Sequence, residues 1–377
     1  MLKPYEDALA ALEERGRLRQ LALPAGYDFT SNDYLALADS QELKEAVRSA
    51  LDRGVAIGAG GSRLLRGNYS EHESLEADAA AFFGSESALY FSSGFSANYA
   101  LFAALPQRGD LVVHDALIHA SAHDGMRAGR AECVEAAHND ANAVEEKIRS
   151  WRAAGHKGRP WIAVESLYSM DGDRAPLEDL AAIAERYDGI LVIDEAHATG
   201  VFGPDGQGLG GWLEGRDNVV SLHTCGKALG TSGALICAPK ILHDFMVNYS
   251  RPFIFSTAPS PIIAASVRAA LRLCEEEPQR REKLAALIEF ANKAIEARCG
   301  VKPSGSQIIP VIVGSDKRAT GLASAMRGYG YDIRAIRPPT VPEGTARLRI
   351  ALTLNTSIEL VTEMIESLRF ELESLQP

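Results

Sequence analysis

Cysteine is scarce in this chain of 377 residues, and its five copies, Cys133, Cys225, Cys237, Cys274 and Cys299, form no CxxC pair and no metal-ligand spacing. That pattern excludes a disulfide framework and a cysteine-built metal site, and reduced thiols in the cytoplasm are the expectation. Long apolar runs are missing as well. None approaches the ~18 residues that a membrane span needs. Residues 1–16 carry Glu6 and Asp7 and no apolar core, unlike a signal peptide. Positive charge is in deficit: Lys and Arg total 39 against 50 Asp and Glu, a net charge of −11. Nucleic-acid binding of the general kind needs a basic surface to displace counterions and is not expected here. A local basic pocket for a phosphorylated ligand remains compatible with this balance. Repeats and low-complexity segments are absent too.

What is present is a rhythm. From Glu42 to Pro259 short apolar runs alternate with helix-length segments. The candidate strands are Ser87–Phe91, Asp110–His114, Trp161–Glu165, Ile190–Asp194, Val219–Thr224 and Ala234–Ala238. Such spacing reads as βαβ units and an α/β fold with a mostly parallel central sheet, helices on both faces, and ligands beyond the carboxyl ends of the strands. Residues 1–41 read as an N-terminal helix, with Leu9 and Leu12 on one face, followed by an extended piece near Tyr27–Thr30. Residues 42–260 form the large domain and 261–377 a small α+β domain. In the latter, Pro278 splits a helical stretch from Ile262 to Cys299, and strands are expected at Ile308–Val313 and Arg347–Leu352, around a helix near Ala319–Gly328. The last helix is expected to start on the capping box Thr356-Ser357-Ile358-Glu359 and to carry the stripe Val361, Met364, Ile365, Leu368, Leu372, Leu375.

The chemistry-bearing residues follow the strands. Lys227 lies in Thr224-Cys225-Gly226-Lys227-Ala228-Leu229-Gly230, 33 residues after Asp194 in Asp194-Glu195-Ala196-His197. A lysine can hold an aldehyde cofactor such as pyridoxal phosphate as a Schiff base, and a carboxylate can keep its ring nitrogen protonated. Alone, a lysine after a strand is usually a solvated surface charge, and Asp194 with His197 reads as readily as a metal pair or a cap. Ser92-Ser93-Gly94-Phe95-Ser96-Ala97-Asn98 opens a helix after a strand, where backbone amides receive phosphate. His119, after another strand, is placed to stack on a flat ring or is a satisfied loop histidine. Glu165-Ser166-Leu167-Tyr168-Ser169-Met170-Asp171-Gly172-Asp173 leaves a strand with hydroxyls and carboxylates, and by itself is a polar turn. All of these fall in one ordered series of strand ends.

At these residues the chain resembles the pyridoxal-phosphate-dependent α-oxoamine synthases, of fold type I. The resemblance runs from Ser31-Asn32-Asp33-Tyr34-Leu35 to Arg347-Leu348-Arg349. It takes in Gly58-Ala59-Gly60-Gly61-Ser62-Arg63, His72-Glu73-Ser74-Leu75-Glu76 and the Ser169–Asp173 and Asp194–His197 motifs. Cys225 and Thr231-Ser232-Gly233 depart from the family pattern without removing a chemical group. The family is an acyltransferase family: it joins an amino acid to an acyl thioester, with loss of CO₂ and release of the thiol. Arg337 to Arg349 is similar to the members that use L-alanine and a pimeloyl thioester in biotin biosynthesis. The carrier, coenzyme A or acyl carrier protein, is left open, as is the glycine and acetyl-CoA pair of a glycine C-acetyltransferase. An aminotransferase, a lyase or a silent partner subunit are the more distant alternatives.

The resemblance also implies roles. Lys227 holds the cofactor and serves as the base, Asp194 faces the ring nitrogen, His119 stacks on the ring, and His197 and Ser169 meet its phenolic oxygen. Gly94, Phe95 and Thr224 take the phosphate, with Thr257 supplied by a second subunit, so that a homodimer is implied. Arg349 clamps the substrate carboxylate beside Asn32, and Arg19 and Thr340 contact the acyl substrate.

Overall fold

The computed structural model describes residues 1–374; Leu375, expected on the apolar stripe of the last helix, lies outside them. The strands are β1 (Tyr27–Asp28), β2 (Ser87–Phe91), β3 (Leu111–Asp115), β4 (Glu132–Ala136), β5 (Pro160–Glu165), β6 (Ile190–Asp194), β7 (Val219–Thr224), β8 (Ala234–Ala238), β9 (Ile308–Gly314), β10 (Tyr331–Asp332), β11 (Arg334–Ile336) and β12 (Ala346–Ala351). The chain divides into two compact units. The larger holds Leu35–Ser169 and Arg174–Arg281, the smaller Met1–Tyr34, Met170–Asp173 and Glu282–Pro377. The helix Pro261–Glu276 therefore belongs with the larger unit, and four residues after β5 belong with the smaller.

The larger unit is built on one seven-stranded sheet in the order β2-β8-β7-β6-β5-β3-β4. The pairs β3–β4, β3–β5, β5–β6 and β6–β7 are parallel, and β8 runs antiparallel to both its neighbours. The expected α/β class with a mostly parallel sheet is what forms. Because side chains alternate along a strand, each run divides its apolar residues between two cores. Val112, Trp161, Ala163, Ile190, Val192, Val220 and Leu222 face one core with the helices Gly94–Ala104 and Ala120–Ala128. Leu111, Val113, Ile162, Val164, Leu191, Ile193 and Val219 face the other, with the helices Ala141–Ala153 and Leu177–Arg186. Burial on both faces explains why these strands are nearly continuous apolar runs; each buried Val, Leu or Ile among them contributes about 1.5–3 kcal/mol.

β4 was not expected. Its residues Glu132, Cys133 and Glu135 lack apolar alternation because it is an edge strand, paired only with β3 and largely exposed.

In the smaller unit β9, β12 and β11 form an antiparallel sheet with β12 central, and β1 pairs with β10 in parallel. Gly172 is required here: its φ is +70°, and a Cβ would stand 2.2 Å from the Ile308 carbonyl oxygen. The first helix, Lys3–Glu14, buries none of its residues. The last begins one residue later than expected. Ser357, not Thr356, accepts from Leu360 N at 3.2 Å, because the Thr356 backbone N–H and hydroxyl both turn back to Thr353 O. Among the described residues no helix is long and apolar enough to cross a membrane.

Candidate active site

The alternation that packs the sheet also aims its last residues. Glu165 follows Trp161 and Ala163, Asp194 follows Ile190 and Val192, and Thr224 follows Val220 and Leu222, so all three end on the face covered by the helix Gly94–Ala104. Glu165 and Asp194 are register partners across β5 and β6. Asp194 is buried, and its two oxygens accept from Asn98 Nδ2 at 2.7 Å and from Ala196 N at 2.9 Å.

Past Asp194 the chain turns tightly, with Ala198 N and Thr199 N both bonded to Glu195 O. The turn brings His197 Nε2 to 2.8 Å from Lys227 Nζ. Lys227 sits in the connection between the antiparallel strands β7 and β8. Bonds from Cys225 N to Gly233 O, from Thr231 N to Cys225 O and from Gly230 N to Lys227 O close that loop, at 2.8 to 2.9 Å. Glu195 secures the turn from behind. Its carboxylate accepts from Ser166 Oγ, from Leu209 N at 3.1 Å and from Gly210 N.

His119 caps the helix Ala120–Ala128, and its Nδ1 lies 2.7 Å from Ser121 Oγ. Asp115 steadies the approach to it by accepting from Leu117 N at 2.7 Å and from Asn139 N at 2.8 Å. His119 is exposed by surface area, yet enough protein surrounds the ring for desolvation to lower its pKa, with Asp194 pulling it up and Lys227 down. The ring is thus within electrostatic reach of both. The first turn of the helix Gly94–Ala104 lies against the Thr224 hydroxyl. A Cβ on Gly94 would stand in ordinary contact with Thr224 Oγ1, at 3.6 Å, so the helix start and the hydroxyl together line a shallow cradle. Gly94 and Phe95, as first-turn amides, have no acceptor inside the helix. Ser169, buried, donates its backbone N–H to Glu165 Oε2 at 3.0 Å. Thr257 is exposed on the segment after the helix Arg251–Ile254, tied down by Ala258 N to Gly61 O at 2.9 Å.

In the smaller unit Arg349, on the central strand β12, is buried and donates to Asn32 Oδ1 at 3.0 Å and to Tyr34 Oη at 3.4 Å. Asn32 and Arg349, both expected at the substrate, are thus together, and Tyr34 joins them. Arg347, two residues earlier, is committed to Asp171. Arg19 Nη2 reaches Thr340 Oγ1 at 3.4 Å, with both residues exposed. The Arg63 of the glycine-rich motif makes a bidentate pair with Glu76, at 2.8 Å for each bond.

Sequence reasoning did not single out Asn98, Glu165, Glu195 or Tyr34. Asn98 and Glu165 carried a signal: a polar residue one turn into an apolar helix, and an acid closing an otherwise apolar strand. The metal-pair alternative for Asp194 and His197 finds no cluster of three ligands among the described residues.

An amine, a buried carboxylate, two imidazoles and an anion-receptive helix start are thereby gathered at one end of the sheet. The family model described as aminotransferase class I and II matches residues 25–368. The chain belongs to this family. As a class I and II aminotransferase relative it has the fold-type I architecture, and its cofactor is pyridoxal phosphate. It is 41% identical to the 8-amino-7-oxononanoate synthase of Chromobacterium violaceum over 97% of each chain. With the enzyme of that name from Anaeromyxobacter dehalogenans it shares 40% identity, over 96% of this chain and 90% of the other. The crystal structure of 8-amino-7-oxononanoate synthase from Francisella tularensis superposes with a TM-score of 0.78 at 26% identity, covering 93% of this chain and 98% of that one. Serine palmitoyltransferase from S. paucimobilis matches the fold with a TM-score of 0.88 at 24% identity, over 99% and 98% of the two chains. The residues present in this family member fit the cofactor: Lys227 offers the amine, Asp194 a carboxylate on the same sheet face, and the cradle at Gly94 and Thr224 a phosphate site.

Proposed function

We propose that the protein condenses L-alanine with a pimeloyl thioester to give 8-amino-7-oxononanoate, CO₂ and the free thiol carrier, the acyl-transfer step of biotin biosynthesis, as a cytoplasmic homodimer. The observation that carries this reading is the identity of 40–41%, over 96–97% of this chain, with relatives named for that product. In the reaction the alanine Cα bonds to the thioester carbonyl carbon, the thiol leaves, and the alanine carboxylate departs as CO₂.

Pyridoxal phosphate, when bound, supplies an electron sink conjugated to the substrate Cα. The protein's residues do the rest. Lys227 would hold the cofactor through its amine and would serve as the base that accepts and returns the substrate Cα proton. His197, 2.8 Å from Lys227 Nζ, orients that amine and meets the phenolic oxygen with Ser169. Asp194, held by Asn98 and the Ala196 amide, keeps a proton on the ring nitrogen. His119 covers the ring and excludes water. The amides of Gly94 and Phe95 and the Thr224 hydroxyl receive the phosphate, with Thr257 of the partner subunit. Arg349 takes the alanine carboxylate through its planar fork, aligned by Asn32 and Tyr34. Arg19 and Thr340 meet the acyl chain.

The test is a product assay of the purified protein with L-alanine and pimeloyl-CoA, run beside pimeloyl-acyl carrier protein and beside glycine with acetyl-CoA. Alanine with one of the pimeloyl carriers is expected to be turned over fastest. Faster turnover of glycine with acetyl-CoA would leave the reaction type standing and overturn the substrates.

A further inference from the structure

Glu165 is the last residue of β5, is buried, and has no part in the scheme above. Its Oε2 accepts from Ser169 N at 3.0 Å, while its Oε1, also buried, has no hydrogen-bond partner among the described residues. Across one step of the sheet stands Asp194, on the same face and in register. Adjacent strands lie ~4.8 Å apart, and two carboxyls at such spacing in a dry site do not both ionise. The hydrogen bonds decide which one keeps its proton. Asp194 accepts two N–H donors, from Asn98 and Ala196, as an ionised carboxylate does, whereas Glu165 accepts one. Since Oε2 is the accepting oxygen, the proton of Glu165 belongs on Oε1.

The surroundings agree. Burial first, then the charge of Asp194, push the Glu165 carboxyl well above the usual carboxylate range; Asp115 on β3 adds to this, and Lys227 and the Ser169 amide oppose it. A buried hydroxyl with no acceptor is costly, and this one lies on the sheet face that carries Asp194 and Thr224, beside Ser169.

We propose that Glu165 is a further cofactor-binding residue, a neutral carboxylic acid whose Oε1 hydroxyl donates a hydrogen bond to the phenolic oxygen of bound pyridoxal phosphate. The inference rests on the cofactor assignment. With the ring nitrogen protonated toward Asp194 and the phosphate at Gly94, that oxygen is the acceptor the ring itself brings. Ser169, expected at the same oxygen, is tied to Glu165 through its own amide. One hydrogen bond thus locks the two donors together.

The test compares wild type with Glu165→Gln and Glu165→Leu. Gln keeps a neutral donor at the Oε1 position, and Leu keeps the volume without one. Titration with pyridoxal phosphate, followed by absorbance, is expected to give Glu165→Gln an affinity within about threefold of wild type, and Glu165→Leu a loss of about tenfold or more. Infrared difference spectra of the cofactor-free proteins, Glu165→Gln against wild type, are expected to show loss of a protonated carboxylic-acid carbonyl band. Loss of a carboxylate band instead, or equal loss of affinity in both variants, overturns the proposal. The infrared comparison decides the protonation state even if Glu165→Leu does not fold. A wild type that takes up no cofactor removes the cofactor assignment itself. A wild type that binds it, beside a Glu165→Leu protein that binds equally well, removes only the role of Glu165.

Discussion

At the carboxyl ends of β5 and β6 two carboxyls, an asparagine and a lysine–histidine contact are held by short bonds within one packed unit. In the N-terminal arm of the smaller unit, Arg19 stands exposed and reaches Thr340 at 3.4 Å, its one side-chain hydrogen bond among the described residues. The first region is set by sheet register and therefore organised before any ligand arrives, while the second has little to hold its geometry. Groups that stabilise developing charge gain most from such preorganisation, whereas an acyl chain needs mainly a surface of the right length. Under the proposed function, this contrast would be a division of labour between fixed chemistry and adaptable recognition.

The hardest blow to the fixed region is Lys227→Ala. Turnover should fall at least about a thousandfold, since attachment and proton transfer are lost together, and borohydride should no longer fix the cofactor to the chain. A peptide map of the reduced wild type should find the label on Lys227. Asp194→Ala comes next, with an expected loss of ~100-fold or more in kcat and a smaller effect on cofactor affinity. A loss below about tenfold would mean that Asp194 does not face the ring nitrogen.

Arg349 bridges the two classes, being buried like the strand ends but belonging to the smaller unit. Arg349→Ala should raise the KM for alanine by roughly tenfold or more, the worth of a charge-assisted hydrogen bond, and leave the spectrum of the bound cofactor unchanged. Arg349→Lys should restore only part of the loss, because the ammonium cannot form the fork. The smallest effect is expected at the exposed arm. Arg19→Ala should raise the KM for the pimeloyl thioester by a few-fold and leave that for alanine alone. A drop in kcat of the size seen for Asp194→Ala would erase the contrast.

Stability against pH sharpens it further. A carboxyl whose pKa is raised on folding binds its proton more tightly in the folded state, so its contribution declines as pH rises from the unfolded value of about 4.3 toward the raised folded one. Glu165 is such a group. The Tm of cofactor-free Glu165→Gln relative to wild type should therefore increase across that interval. A difference that stays flat with pH would place an ordinary carboxylate at this position.

Strands buried on both faces were legible in the chain to within a residue, because burial on two sides leaves apolar runs with turn residues at each end; Ile190–Asp194 and Val219–Thr224 form where they were expected. The edge strand β4 was not, since Glu132 and Glu135 meet solvent rather than a core. Among the site residues, Lys227, Asp194 and His197 could be picked out as candidates because a pyridoxal phosphate site calls for an amine and a carboxylate, and the fold sets His197 2.8 Å from Lys227. Asn98 and Glu165 left only a local signal, because nothing in the sequence says that position 165 on one strand stands beside position 194 on the next, or that the helix residue 98 donates to it. Tyr34 was hidden for the same reason, as its partner Arg349 lies 315 positions away.

The connection carrying Lys227 has a consequence for how the chain folds. β7 and β8 are antiparallel neighbours joined by the nine residues Cys225–Gly233, whereas β5 and β6 are parallel and joined by the 24 residues Ser166–Gly189. Loop-closure entropy grows as (3/2)RT ln n, so the lysine loop costs about 0.9 kcal/mol less to close. It also needs no crossover helix to be in place first. In a sheet dominated by distant pairings, this hairpin is a local piece, and local pieces form early. The lysine can take its place in a turn before Asp194 and Glu165 have met across the sheet.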